Sequence, residues 1–297
     1  MRAEHRNINL GRTLKHKLHD YYTLTKPEVN LLILMTTSAG YYLGLRGAFH
    51  LSGLIHALVG TLLVASGTAT LNQWMEKTWD GQMRRTAQRP LPSGRVSSRE
   101  AFLFGALLSV SGGLYLALLV NGLSSLLAMS TLLSYLLVYT PLKRRTPLCT
   151  LLGAFPGAMP TLIGWAGAAD SLSPQAGCLF AILFLWQFPH FLAIALMYRE
   201  DYARAGYRML PDFDTDSRFT RAEIVVFTLA LIATTLLPAV SRPASLYFWL
   251  LGLSGGFLLY YSLRLARTSS KVMASSLLHA SVVYLPVVLA IMAFGRR

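Results

Sequence analysis

The sequence predicts an all-α, polytopic membrane protein with nine transmembrane helices. Three observations predict it. Of 297 residues, 54% are hydrophobic and only 13% charged, whereas soluble domains carry about 25% charged residues. Apolar runs near the length that crosses about 30 Å of hydrocarbon recur nine times, at roughly 28–46, 50–74, 100–120, 123–140, 147–169, 174–197, 222–240, 244–263 and 274–294. Basic residues fall on one side of these spans. With the N-terminus cytoplasmic, 23 of the 27 Lys/Arg lie on that side and 4 (Arg46, Arg242, Arg296 and Arg297) on the other, as the positive-inside rule requires. An eight-span count scrambles that asymmetry. The net charge of +14 therefore reads as a topology signal rather than a nucleic-acid surface. The expected location is the cell's inner or plasma membrane.

Taken in order, residues 1–25 form a polar, basic cytoplasmic tail without the apolar segment of a cleavable signal peptide. Residues 26–297 form the nine-helix domain. Span 1 follows Lys26 in "LTKPEV". Span 2 runs into "LNQWMEKTWDGQMRRTAQRPLPSGR", Leu71 to Arg95. Spans 3 and 4 are joined by the short "VNGLS", and span 4 leads into "TPLKRRTP", Thr140 to Pro147. Span 5, "GAFPGAMPTLIGWAGA", reads as a bent helix whose small residues serve close packing or leave room for a flat ligand. Span 6 carries His190 behind Pro189, which is expected to kink it. Ser241–Pro243 stops span 7 and restarts span 8. Cys149 and Cys178 have neither disulfide nor metal spacing. The long loops, 2–3 (about 75–99) and 6–7 (about 198–221), are both cytoplasmic, as are all acids except Asp170. Acids hardly affect orientation, so the working face is expected on that side. The two loops follow spans 2 and 6, which hints at two related four-helix halves.

Four constellations carry chemistry. Asn72, Glu76 and Asp80 recur every four residues, so on a helix they span an arc of about 80° and about 12 Å of rise. Two carboxylates and an amide oxygen on one face suit Mg²⁺; a solvated helix end paired to Lys77 or Arg84 is the plainer alternative. Arg84, Arg85, Arg89 and Arg95 follow at once. Arginine grips phosphate in bidentate fashion, so metal-bearing carboxylates beside arginines make a diphosphate cradle, unless these cations are only topogenic. The same choice holds for Lys143, Arg144, Arg145 and Lys26. In "WQFPHFLAIALMYREDYARAGYRMLPDFDTD", His190 lies well inside the membrane, and intramembrane ionisable groups are candidate functional sites; a neutral histidine with a helix partner is the alternative. Tyr198 and Tyr202 share a face beside Arg199, Glu200, Asp201 and Arg204. Asp212, Asp214 and Asp216 read as a solvated loop.

In their order, these blocks resemble the UbiA superfamily of intramembrane prenyltransferases, and within it the haem-directed branch. "NQWMEKTWDGQMRRTAQRPLPSG" matches the N-x3-E-x3-D-x2-M-x-R-T-x2-R-P-L-P-x-G pattern in full. "LTKP", "YTPLKRRTP", "GAMPTLIGW", "WQFPHF" and "YREDYARAGYRMLP" follow in sequence, from about residue 21 to the last span. Two departures stand out. The wider superfamily's second Asp-rich motif has aspartates at the positions of Tyr198 and Tyr202, leaving only Asp201 here, as in haem-directed members; this leaves open whether a second Mg²⁺ binds. Thr161 stands where many members have proline.

The resemblance implies a UbiA-type bundle that transfers the farnesyl group of farnesyl diphosphate to the 2-vinyl group of haem B with addition of water. It implies Mg²⁺ at Asn72, Glu76 and Asp80 as the catalytic set, diphosphate oxygens on Lys26, Arg85, Arg89, Lys143 and Arg144, and a haem site or second cluster at His190, Tyr198, Asp201 and Tyr202. The lipid bilayer harbours the farnesyl tail, and a haem A synthase is a candidate recipient. Two rivals remain: a sibling with another aromatic or isoprenoid acceptor, and a secondary transporter, which would place polar groups at the midplane of several spans.

Overall fold

The computed structural model describes residues 15–295 except 215, 242 and 244. Most of the tail, and the outer arginines Arg242, Arg296 and Arg297, therefore lie outside the described residues. A short helix, α1 (residues 15–24), precedes α2 (Pro27–Gly44), α3 (Leu51–Asp80), α4 (Ser98–Leu119) and α5 (Gly122–Leu133). The last continues through a π-helical turn, Ser134–Tyr139, into α6 (Thr140–Leu142). Then come α7 (Cys149–Ala169), α8 (Pro174–Met197), the short α9 (Arg199–Arg204) and α10 (Leu210–Phe213), and α11 (Arg218–Leu236), α12 (Leu246–Arg267) and α13 (Lys271–Phe294). Among the described residues 8 helical stretches are long and apolar enough to cross a membrane. The ninth expected span, α2, is not among them: Glu28, Asn30, Thr36 and Thr37 dilute its 18 residues. It nonetheless packs inside the bundle against α7 and α3.

Burial ranks the helices. Of the most apolar window of each span, 72% is buried in α7 but only 22% in the stretch from α5 through α6 and in α12. Helix α7 is thus the central post, and α4, α5 and α12 present leucines such as Leu107, Leu118, Leu126 and Leu253 to lipid. The small residues of α7 do both things: Gly153 and Gly157 line a cavity, and Gly164 serves close packing. A Cβ at Gly164 would meet the Thr37 carbonyl, and one at Gly40 the Thr161 carbonyl, so α2 and α7 touch backbone to backbone. With lipid outside, such van der Waals approach is what holds spans together. The side chains gather into two main clusters, one on α3, α4 and α5, the other on α8, α11, α12 and α13, with α7 contributing to both. Helix starts are capped by side chains: Ser97 and Glu100 form a reciprocal capping box on α4, and Asn121, Ser173 and Ser270 cap α5, α8 and α13.

Two local expectations are corrected. Span 2 does not end near residue 74; the helix runs on to Asp80, since nothing from Leu71 to Asp80 breaks it. Asp214 is not part of a solvated loop. It is buried and accepts the backbone N–H groups of Arg218 at 3.0 Å and Thr220 at 2.7 Å, tying down the start of α11.

The N-terminal segment and both long loops pack together over one end of the bundle. Leu24 of α1 packs with Leu91, Val96 and Ala101, and Asp20 pairs with Arg95 at 2.9 Å. Met83 packs with Ala205 and Tyr207. The loop after α3 is therefore clamped between α1 and the loop after α8.

Candidate active site

The continuation of α3 places Asn72, Glu76 and Asp80 on one buried face, at 1%, 4% and 1% exposure. Burying two carboxylates demands compensation, and each polar group has its own cation. Lys143 Nζ donates to Glu76 Oε1 and Oε2 at 3.1 and 3.2 Å. Arg89 Nη1 donates to Asp80 Oδ2 at 2.7 Å. Lys26 Nζ donates to Asn72 Oδ1 at 3.0 Å. The Asn72 amide nitrogen donates to Glu76 at 2.9 Å and to Thr140 Oγ1 at 3.1 Å, which turns its oxygen toward Lys26. Two segments distant in sequence, around Lys26 and around Thr140–Lys143, thus meet one helix face together with Arg89 from the loop that follows it.

Local structure explains how each cation arrives. Lys26 adopts a left-handed backbone, φ 52°, immediately before Pro27. That conformation is strained for a non-glycine residue and is held from both sides. The Leu24 carbonyl accepts from Gln73 Nε2 at 2.8 Å, and the Thr25 carbonyl from Asn30 Nδ2 at 2.9 Å. Lys143 follows the π turn, a device common at functional sites, and its ammonium lies 4.5 Å from the Tyr139 ring centroid. Arg89 is set by a run of turns in which Thr86 Oγ1 donates to the Asp80 carbonyl at 2.7 Å.

The electrostatics separate the two lysines. Burial, reinforced by Arg89 and Lys143, pulls Lys26 down to about 7. Burial also opposes charge on Lys143, but the Glu76 carboxylate outweighs it and holds Lys143 well above the ordinary lysine value. Burial, and then the nearby Glu76 carboxylate, push the Tyr207 hydroxyl up. Neither Tyr207 nor Thr140 is legible as a site residue in the sequence. Tyr207 stands in "AGYRMLP", where no spacing points it toward Lys143.

Lys26 also stands at the mouth of a cavity of about 270 Å³ whose walls include Leu32, Thr36, Ala65, Gly157 and Leu183. Tyr135 and Tyr139 line its polar end. From Lys26 to Thr36 the cavity descends about 15 Å at helical rise. Its lining is mostly apolar, as prenyl-sized ligand sites are.

The remaining expected residues divide. The Arg85 guanidinium lies 5.0 and 5.6 Å from the Tyr198 and Tyr202 ring centroids and donates to the Tyr202 hydroxyl at 3.3 Å. The tyrosines that stand at the second acidic motif therefore seat a cation of the first loop. Asp201 turns to Arg204 at 3.1 Å. Arg144 lies over Trp79 at 4.3 Å and lines a separate concavity with Arg199 and Arg208. His190 makes an Nδ1 contact of 2.8 Å with Ser281 Oγ and stacks on Trp186, centroids 4.5 Å apart. Trp186 lines the apolar cavity, whereas His190 is not in its lining.

The donor set suits a hard divalent cation. Every group is an oxygen donor, on one helix face, with compensating cations that a phosphate could draw away. Among the described residues no cluster of three His, Cys, Asp or Glu side chains could hold a metal by itself. An ion here would complete its sphere with substrate oxygens and water, the usual habit of Mg²⁺.

A helical membrane bundle with buried carboxylates and cations above an apolar cavity defines a class of intramembrane enzyme, and the chain belongs to the UbiA prenyltransferase family, whose pattern it matches over residues 33–285. Its relatives include the protoheme IX farnesyltransferases of Solibacter usitatus, 48% identical over 94% of this chain and 99% of that one, and of Koribacter versatilis, 43% identical over 94% of each. In fold it is similar to a solved digeranylgeranylglyceryl phosphate synthase, with TM-score 0.77 at 18% identity over 95% of this chain and 99% of that one. It is also similar to a UbiA homologue from Archaeoglobus fulgidus bound to GPP and Mg²⁺, with TM-score 0.66 at 15% identity over 92% and 99%.

Proposed function

We propose that this protein is a multi-pass membrane enzyme that transfers the farnesyl group of farnesyl diphosphate to the 2-vinyl group of haem B. Water is added and diphosphate released. The observation that carries the reading is the cation-compensated Asn72–Glu76–Asp80 face at the mouth of an apolar cavity, in a chain 48% identical to a relative named protoheme IX farnesyltransferase. The concentration of basic residues at this end supports a cytoplasmic placement for it.

Lys26, Arg85, Arg89 and Lys143 bind the diphosphate oxygens, and the farnesyl chain descends the cavity below Lys26. Asn72, Glu76 and Asp80 would hold Mg²⁺, which would supply charge neutralisation for the leaving diphosphate. On substrate entry Lys143 and Arg89 transfer their hydrogen bonds from carboxylate to phosphate, so no charge is left uncompensated. The C1–O bond breaks with its electron pair leaving on diphosphate. The terminal vinyl carbon of haem B bonds to C1, and the cation left beside the porphyrin takes water and loses a proton. The fixed donors stabilise the charge that develops on the leaving group. Tyr135 and Tyr139 flank the allylic end and keep bulk water from it. His190, with Nδ1 engaged by Ser281, offers Nε2 to the porphyrin. Tyr198 and Tyr202 position Arg85, and Asp201 steadies their helix through Arg204. Residues 1–25 form a tail whose helix clamps the loop after α3, residues 26–297 form the catalytic domain, and a haem A synthase is the candidate recipient of product.

Mass spectrometry of haem extracted from cells with and without the gene tests the reading. Haem O is expected only with the gene. A different prenylated product, or none, overturns it. A His190→Ala variant with unchanged haem absorbance and turnover removes His190 from the porphyrin site.

A further inference from the structure

We propose that a second, basic concavity beside the diphosphate site binds the two propionate carboxylates of the porphyrin acceptor; this rests on the function proposed above. The concavity measures about 710 Å³, and its walls include Arg144, Arg199, Tyr207, Arg208 and Asp212.

Three observations converge on it. The first is charge. Among the described residues, no acid lies within ion-pair distance of the Arg144 or Arg208 guanidinium, whereas Arg89, Arg95 and Arg204 are all paired. The two acids of the lining are already engaged. Glu200 pairs with Lys271 at 3.2 Å, and Asp212 lies 3.9 Å from Arg199 while accepting the Met209 N–H at 3.3 Å. With Lys271 counted, cations exceed carboxylates by the charge of one dicarboxylate. The second is preorganisation. Positive-inside charge needs neither a concavity nor a seat, yet Arg144 rests on the Trp79 ring at 4.3 Å. Gly206, at φ 68°, makes the turn that buries Tyr207 and leaves Arg208 exposed, a backbone that favours glycine.

The third is position. Tyr207 is the shared wall: its ring centroid lies 5.9 Å from the Lys143 ammonium and it also lines the concavity. The Arg208 N–H donates to the Lys143 carbonyl at 2.9 Å, and Lys143 holds Glu76. The apolar cavity has Lys26 as the one basic residue of its lining, so it offers carboxylates little. Propionates must stay paired or wet, and guanidinium is the group that grips carboxylates bidentately. An acceptor held here by its carboxylates leans its macrocycle toward the allylic carbon. Arg144 then serves the acceptor rather than the diphosphate.

The test titrates haem B and haem B dimethyl ester into the full-length protein in nanodiscs, followed by absorbance. The native chain is expected to bind the free acid at least tenfold more tightly than the ester. The double variant Arg144→Gln/Arg208→Gln is expected to lose that preference while KM for farnesyl diphosphate stays within twofold, and the exposed control Arg218→Gln to keep it. Retention of the preference by the double variant overturns the proposal. So does a rise in farnesyl diphosphate KM with the preference intact, which returns the arginines to the donor site. A preference present in phosphatidylcholine discs but abolished by phosphatidylglycerol assigns them to lipid phosphate and overturns it too. Equal binding of both haems by the native chain defeats this subsite alone, whereas no binding of either defeats the parent function.

Discussion

Lys26 Nζ and Asn72 Oδ1 lie 3.0 Å apart, joining the entry of the first bundle helix to the metal-suited face of the second. The lysine is reached through a left-handed backbone that nothing but its surroundings would enforce. Burial weakens its ordinary charge and brings its pKa down to about 7.

Activity should carry that signature. Lys26 is pulled down to about 7, so the free enzyme loses this charge as pH rises through 7. The ratio kcat/KM for farnesyl diphosphate reports the free enzyme. It is expected to fall above about pH 7 by up to tenfold per unit, and Lys26→Arg is expected to flatten the profile. An inflection unchanged in the variant assigns the titration elsewhere.

Removing one carboxylate should separate metal binding from folding. Asp80→Asn keeps the shape but leaves Arg89 without its anion. Mn²⁺ binding followed by electron paramagnetic resonance is expected to weaken at least tenfold in the presence of farnesyl diphosphate. Haem O output is expected to drop by about 10²–10³, the size typical of losing one preorganised charge-stabilising group. Near-normal output denies the face a metal role.

Arg85 is predicted to act on donor affinity. Its guanidinium is seated by Tyr198 and Tyr202. Arg85→Ala should raise KM for farnesyl diphosphate about tenfold, the order of a charge-assisted contact worth 1.5–3 kcal/mol. Arg85→Lys should recover only part of it, because an ammonium lacks the planar face. Steady-state kinetics with both variants decides this.

The α2–α7 crossing sets stability. Gly164→Val drives a side chain into the Thr37 carbonyl and should cost about 1–3 kcal/mol, as overpacking does. Thermal unfolding in detergent should show a lowered midpoint, and Gly177→Val, where a Cβ meets nothing within 4 Å, should not.

The chain itself determined the helical membrane class, most span limits and the gathering of the polar groups at one end of the spans. Those follow from run length and loop charge, which need no long-range contact. The four-residue recurrence of Asn72, Glu76 and Asp80 was equally legible, because one helix fixes their common face. What tertiary structure alone decided is who stands opposite. Lys143 meets Glu76 across 67 positions, Tyr207 comes to lie 5.9 Å from the same ammonium, and Arg144 turns away from its neighbour Lys143 to lie over Trp79. Adjacent residues in a turn point apart, and no periodicity encodes which helix end each will face. Likewise, the glycines of α7 read as room or as packing in the sequence, and the bundle divides them: Gly164 meets α2 while Gly157 lines the cavity. Pairings of this kind arise from how the ends of α2, α3, α5 and α8 converge, and that convergence is a property of the packed bundle rather than of any one segment.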